Sequence, residues 1–167
     1  MRAIAGLGLA LAVLGGCRRE DPGDAAFAGV QARGETAMGV DQYTSSHRFE
    51  PTPDGGRIVL QRDAEDSAGT AVIREHMRHI AGAFAAGDFR LPGLVHAREV
   101  PGTATMAGRR GAITYTANTL PRGGEVRIQT TDPEAVRAVH EFLAFQRTDH
   151  RTGSHGHDTA GAGGARR

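Results

Sequence analysis

Histidine is the residue type in this chain whose number and spacing point most directly to chemistry, since eight imidazoles accompany a single cysteine. His76 and His79 form a His-x-x-His pair in a helical pattern, where residues three apart lie on one face. Two imidazoles placed in this way can ligate one Zn²⁺ or Cu²⁺ ion. Alternatively, His76 flanks the apolar stripe of its helix and His79 points to solvent.

A second histidine pair emerges from a similarity between two parts of the sequence. Aligning residues 71–76 with 135–140 places His76 and His140 at the same point of two apolar stripes, an unusual setting for an imidazole. Two such histidines, joined by a third from a strand or a connector, would form a three-ligand metal site. The alternative is that each is a neutral histidine hydrogen-bonded to a backbone group. The predicted metal ligands are His47, His76, His96 and His140, with His79, His150, His155 and His157 as weaker candidates.

Sequence patterns of nucleophilic enzymes and of phosphate-binding loops are absent from the chain. It contains no Gly-x-Ser-x-Gly, no His-Glu-x-x-His and no glycine-rich loop between a strand and a helix. The single cysteine excludes an intrachain disulfide and a Cys-x-x-Cys-His haem attachment. A non-enzymatic binding protein is therefore the leading prediction, and a hydrolase with a histidine base is the least favoured one.

Two hairpins and two helices are predicted to position the central histidines. Residues 45–63 and 113–132 each contain a polar turn with proline two residues before Gly-Gly, followed by alternating apolar residues, which is typical of a β-hairpin. A helix cap and an amphipathic helical pattern follow each hairpin, over 71–85 and 135–145. The sequence thus predicts an α+β domain with a duplicated ββα-ββα order, a four-stranded antiparallel sheet and two helices on one face.

The N-terminal residues have the pattern of an export signal. Arg2 precedes an uncharged run over residues 3–16, which is shorter than a membrane-spanning helix and typical of a secretory signal. The run ends at Leu14-Gly15-Gly16-Cys17, which resembles the lipobox of bacterial lipoproteins. This resemblance implies cleavage before Cys17 and acylation of its thiol; the alternative is an ordinary signal peptide with a chance cysteine. We therefore predict a signal peptide over 1–16 and a protein anchored by lipid to a bacterial membrane, in the cell envelope and facing the periplasm.

The rest of the composition separates one folded domain from two flanking segments. The segments hold few large apolar side chains, too few to offset the ~1–2 kcal/mol per residue that ordering the backbone costs. We expect a lipidated flexible tether over 17–37, one domain over 38–150 and a disordered His- and Gly-rich tail over 151–167. The 20 basic and 19 acidic residues give a formal net charge of +1, which argues against nucleic acid as a partner.

A resemblance to a protein family is carried by residues 37–49, 84–89, 100–102 and 140–150. These segments resemble a family of small exported bacterial proteins without an assigned mechanism, some of which carry the label aspartate carbamoyltransferase. That enzyme binds carbamoyl phosphate through a Ser-Thr-Arg-Thr-Arg loop on a two-domain chain, and no such loop occurs here. The resemblance therefore implies an exported protein and does not imply carbamoyltransferase activity.

These observations favour a lipid-anchored envelope protein that binds a ligand, most concretely a Zn or Cu ion held by histidines. The second hypothesis is a periplasmic protein-interaction module that docks an envelope partner through its sheet. It predicts an exposed apolar patch on the sheet face away from the helices, formed by Phe49 and Val59.

Overall fold

The computed structural model describes residues 21–39 and 41–152 of the chain. The predicted signal peptide, Cys17, His155 and His157 lie outside these residues. The described part contains five α-helices and four β-strands, in the order α1 Pro22–Met38, β1 Ser45–Thr52, β2 Gly55–Arg62, α2 Ser67–Ala85, α3 Arg90–His96, α4 Thr103–Gly108, β3 Ile113–Leu120, β4 Gly123–Thr130 and α5 Pro133–Asp149. Short 3-10 turns over Gln42–Thr44 and Arg110–Ala112 precede β1 and β3.

The four strands form one antiparallel sheet in the order β1-β2-β4-β3. Each hairpin closes through a short turn that begins with proline, at 53–54 and 121–122. The two hairpins join through β2 and β4, where Ile58 pairs with Val126. The predicted α+β class and the four-stranded antiparallel sheet are therefore confirmed.

Glycines in the two central strands allow helices to lie close to the sheet. A Cβ atom at Gly56 would lie 2.3 Å from Leu143 Cδ1 on α5 and 2.8 Å from the Glu50 carbonyl oxygen. A Cβ atom at Gly124 would lie 3.3 Å from Met77 Cγ on α2. Because protein interiors are packed as densely as organic crystals, a larger residue at Gly56 would displace α5.

The helices that follow the two hairpins both begin at an aspartate cap. The Asp66 carboxylate accepts a hydrogen bond from Gly69 N at 2.9 Å, and Asp132 accepts from the backbone N–H groups of Glu134 and Ala135. α2 packs mainly on β3 and β4, whereas α5 packs mainly on β1 and β2. Each hairpin therefore supports the helix that follows the other hairpin, which joins both parts of the domain in one core.

The hydrophobic core lies between the sheet and these helices. Its fully buried members include Leu60, Ile73, Met77, Phe84, Met106, Val126, Ile128, Val139, Phe142 and Leu143. The segment between α2 and β3 packs on this core through Val100 and Met106. Among the described residues, no helix is both long enough and apolar enough to cross a membrane.

The sheet face away from the core is polar. Arg57 pairs with the carboxylates of Glu50 and Glu125 across neighbouring strands. Phe49 belongs to the core, with 5% of its surface exposed, and Val59 on the polar face is fully buried. The apolar docking patch expected at Phe49 and Val59 is therefore not present on this sheet.

Residues 22–38 differ from the expected flexible tether because they form α1. Asp21 caps this helix, Pro22 occupies its first turn, and Gly39 ends it in the left-handed conformation with φ 72°. The Arg33 side chain donates a hydrogen bond from Nε to the Val95 carbonyl oxygen at 2.7 Å, which fixes α1 against α3. Composition underestimates the tendency of this segment to form a helix. Capping groups and an arginine supply contacts that large apolar side chains usually provide.

Candidate functional site

A small cavity lies where β1, α1, α2, α3 and the end of α5 meet. Its volume is about 70 Å³, and most of its wall is apolar. Four histidines contribute to the wall, namely His47 of β1, His76 of α2, His96 of α3 and His150 directly after α5. We call the space between these four side chains the imidazole cavity.

Strand alternation and the end of α5 bring three of the imidazoles together. His47 lies on the core side of β1 with Phe49, because residues two apart in a strand share a face. Its ring stacks on that of Phe49 at a centroid distance of 5.6 Å, and lies 5.1 Å from the ring of His150. The His150 ring is also 5.1 Å from that of His96. β1, α3 and α5 therefore each contribute one ring to a contiguous group.

Burial keeps three of the cavity imidazoles neutral at pH 7. Burial, with a smaller contribution from the neighbouring His79, lowers the pKa of His76 to about 4. The pKa of His150 is also lowered to about 4, by burial and by His96, with Asp149 acting in the opposite direction. Burial and the neighbouring His150 and His76 hold the pKa of His47 well below its ordinary value. The neutral imidazole is the form that binds metal ions.

One of these three rings has a buried nitrogen without a partner. His150 Nδ1 is buried and has no hydrogen-bond partner in the part of the chain that the structure describes. His47 and His76 are half-buried, and neither has a buried ring nitrogen without a partner among the described residues. A buried polar atom without a partner costs about 1–3 kcal/mol, so its presence calls for an explanation such as an ion or a ligand.

His96 differs from the other three because both of its ring nitrogens are engaged. Its Nδ1 pairs with the Asp149 carboxylate, and its Nε2 lies 2.9 Å from Gln146 Oε1. Asp149 also accepts a hydrogen bond from Arg98, whose guanidinium carbon lies 4.6 Å from the centre of the Phe145 ring. His96 therefore forms a fixed part of the wall, and its Nε2 is not free to act as the base of a hydrolase.

Two of the predicted ligands lie away from the imidazole cavity. His140 Nε2 donates a hydrogen bond to the Thr52 carbonyl oxygen at 2.9 Å, which is the backbone-bonded alternative described above. His79 is exposed on α2. Of the four residues predicted as the main ligands, the structure brings His47, His76 and His96 together. It adds His150, a weaker candidate, in place of His140.

The helix caps explain why His140 and His76 do not share a site. His140 is the eighth residue after the cap Asp132, and the eighth residue after the cap Asp66 is Arg74. Arg74 donates hydrogen bonds to two carbonyl oxygens at the β3–β4 turn, as His140 does to one at the β1–β2 turn. The sequence alignment that paired the two histidines is therefore displaced by two positions from the alignment that the helix caps define.

Counting from the caps and from the hairpin turns identifies aromatic counterparts of the cavity histidines. The counterparts of His47, His76 and His150 are Tyr115, Phe142 and Phe84, in that order. In this aromatic cluster, Phe84 contacts Tyr115 and Phe142, each at 5.9 Å between ring centroids. Phe84 and Phe142 also line the imidazole cavity, so the aromatic cluster and the cavity adjoin each other.

The ligands that the cavity offers to a metal ion include sulfur as well as nitrogen. Met38 and Met77 both line its wall. Among the His, Cys, Asp and Glu side chains of the described residues, no group of three or more is arranged to hold a metal ion. Binding of a metal ion would therefore require either that an imidazole ring rotates or that a methionine thioether serves as a ligand.

Comparison with known proteins gives no match: no family model, no curated protein and no solved structure matches this chain. The family resemblance carried by the sequence segments stays a prediction.

Proposed function

We propose that this chain is a lipid-anchored cell-envelope protein of the binding type, and that its imidazole cavity holds a transition-metal ion. The observation that carries the proposal is the convergence of three neutral imidazoles, His47, His76 and His150, on one small cavity. Their counterparts in the other part of the domain are packed aromatic rings. Desolvated imidazoles cost folding free energy, and binding of an ion supplies a reason for that cost.

The size of the cavity favours an ion over an organic ligand. Small-molecule pockets usually enclose ~300–1,000 Å³. The imidazole cavity, at about 70 Å³, has room for a single ion with few or no waters. The engaged ring of His96 keeps one wall in place while the other rings adjust.

The distance between the rings of His47 and His150 would allow both to bind one metal ion after small side-chain rotations. Two imidazoles bound at ~2.0–2.1 Å to one tetrahedral ion have ring centroids about 5 Å apart. The centroids of His47 and His150 are 5.1 Å apart. His76 is the third nitrogen donor, because it lines the same wall and lies near enough to His47 to affect its pKa.

The anchor and the location are part of the proposal. The support is the sequence Leu14-Gly15-Gly16-Cys17, which lies outside the described residues. α1 begins at Pro22, shortly after Cys17, and contributes to the cavity wall. A lipid on Cys17 would therefore hold the cavity near the membrane, where an envelope protein that delivers or accepts the ion is the partner we propose.

We also propose that the domain arose by duplication of a ββα unit, with both helices on one face of the sheet. Three observations support the duplication. The strand order β1-β2-β4-β3 is symmetric about its centre. The caps Asp66 and Asp132 begin both helices, and Gly56 and Gly124 make room for α5 and α2 at equivalent places in β2 and β4.

The proposed function is tested by the metal content and melting temperature of the full chain purified without an affinity tag. After incubation with Zn(II), Cu(II) or Cu(I) and removal of the excess, we expect close to one equivalent of at least one metal. The melting temperature should rise, because an ion that binds the folded state stabilises it by mass action. His150→Phe, which introduces the residue of the aromatic counterpart, should abolish metal retention.

His79→Gln is the control, since His79 is exposed and does not line the cavity, although it neighbours His76 on α2. This variant should retain the metal like the wild type. Retention below about a tenth of an equivalent for every metal, with no gain in melting temperature, would contradict the proposal. Equal retention by His150→Phe and the wild type would contradict it as well.

A further inference from the structure

The donor atoms and charges around the imidazole cavity define the class of metal ion that it can hold. Besides neutral imidazoles, the wall contains Met38 and Met77, whose side chains carry thioether sulfurs. No Asp or Glu is among the described residues that line it. The Asp149 carboxylate contacts His96, but it is already paired with that ring and with Arg98.

From this lining we infer that the cavity selects a soft monovalent cation, Cu(I), over the dications Zn²⁺ and Cu²⁺. The inference rests on the proposed metal-binding function and specifies its ion. The free-energy cost of moving an ion from water into an apolar site rises with the square of its charge, so it is about four times larger for a dication than for a monocation. Without a carboxylate or thiolate in the wall, a dication would keep its full charge there.

The ligand types lead to the same ion. Thioether sulfur is a soft ligand that selects Cu(I), and imidazole is a good ligand for copper. Cu(I) is stable with only two or three ligands, so it does not require a cluster of three or more His, Cys, Asp and Glu side chains, which the described residues do not contain. His47 and His150 with one methionine would be sufficient. Met77 is fully buried and Met38 is nearly so, which limits competition from water.

The test compares three ions on the full chain under anaerobic conditions. Cu(I) is titrated in competition with bicinchoninate, Ag(I) serves as a monovalent probe without redox chemistry, and Zn(II) serves as the dication. We expect one equivalent of Cu(I) and of Ag(I) per chain. Zn(II) should bind at least about 100-fold more weakly, a difference in dissociation constant that the titration resolves.

Methionine variants test the thioether ligands in the same titration. Met77→Leu and Met38→Leu keep the volume and apolar character of the wall, and at least one of them should weaken Cu(I) binding about tenfold or more. Met106→Leu is the matched control, because Met106 is fully buried but does not line the cavity. It should bind Cu(I) like the wild type.

The outcomes separate this inference from the proposed function. Zn(II) binding as tight as that of Cu(I) would overturn the inference and leave the proposed function standing. Failure of all three ions to bind would overturn both. If both Met38→Leu and Met77→Leu bind Cu(I) as tightly as the wild type, thioether coordination is overturned. The comparison of the three ions uses the wild type, so it decides the selectivity even where a variant does not fold.

Discussion

The imidazole cavity and the aromatic cluster occupy corresponding places when the two parts of the domain are aligned by their helix caps and hairpin turns. In the aromatic cluster, the rings of Phe84, Tyr115 and Phe142 lie against one another. The imidazole cavity adjoins this cluster, because Phe84 and Phe142 line it together with the four histidines, and its volume is about 70 Å³. The cluster side of this shared wall is closed by ring contacts, whereas the histidine side leaves a space.

The polar atoms of the two regions strengthen this contrast. The aromatic cluster contains one buried polar group, the Tyr115 hydroxyl, which has no partner among the described residues and whose pKa is raised by burial. The imidazole cavity holds three neutral rings whose pKa values are all lowered by burial. Each region holds one buried polar atom without a partner among the described residues, the Tyr115 hydroxyl in the cluster and His150 Nδ1 in the cavity, and such an atom lowers stability. The regions differ in the number of imidazole rings that line a mostly apolar wall.

The largest effect that tests the comparison is expected from truncating Phe84 of the aromatic cluster, which also lines the cavity, and its counterpart His150. Phe84→Ala should destabilise the domain by about 3–5 kcal/mol, because it removes a fully buried ring from the core. His150→Ala should cost about 1 kcal/mol or less, because the loss of ring packing is offset by removal of an unpartnered buried nitrogen. Urea unfolding of both variants at pH 7 without metal measures the difference. Equal losses would mean that His150 acts as a packing residue like Phe84.

A smaller effect is expected from pH. A histidine whose pKa is about 4 in the folded state and about 6.5 in the unfolded chain contributes its full stability above pH 6.5 and loses it as the pH falls toward 4. Between pH 7 and 5.5, His76 and His150 should together lower the free energy of unfolding by roughly 2 kcal/mol. Asp149, His96 and Arg98 adjoin His150, and of these Asp149 reduces the loss.

The measurement is the urea unfolding free energy of the metal-free chain at both pH values. The double variant His76→Phe, His150→Phe should lose the part of the pH dependence that these two residues contribute, while His47, whose pKa is also lowered, keeps its own part. His79→Gln, at an exposed position, should keep most of the pH dependence, because His79 is the smaller of the two causes that lower the pKa of His76. A wild type with the same stability at pH 7 and 5.5 would show that the imidazoles are not desolvated in the folded state.

The sheet could be predicted from the sequence because its signals are local. Proline before Gly-Gly marks each hairpin turn, and the alternating residues on either side define the strands. α1 was not predicted, because its stability depends on contacts made far along the chain, such as the one between Arg33 and Val95. Apolar composition does not report contacts of this kind.

The candidate site was predicted in part. His47, His76 and His96 line one cavity, but the sequence alignment that added His140 was displaced by two residues. The aspartate caps carry the correct alignment, and they are visible in the sequence. His150 ranked low because it borders the polar tail, and its place in the cavity follows from the length of α5, which continues to Asp149.

The central claim, that His47, His76 and His150 hold a metal ion, is tested most directly by two-bond ¹H–¹⁵N NMR of the imidazole rings at pH 7. Spectra are compared before and after one equivalent of Ag(I) and, separately, of Zn(II). The account predicts that these three rings are neutral beforehand and that their nitrogen signals shift on binding, while those of His79 and His140 stay unchanged. Shifts confined to His79 or to the tail residues His155 and His157 would contradict it.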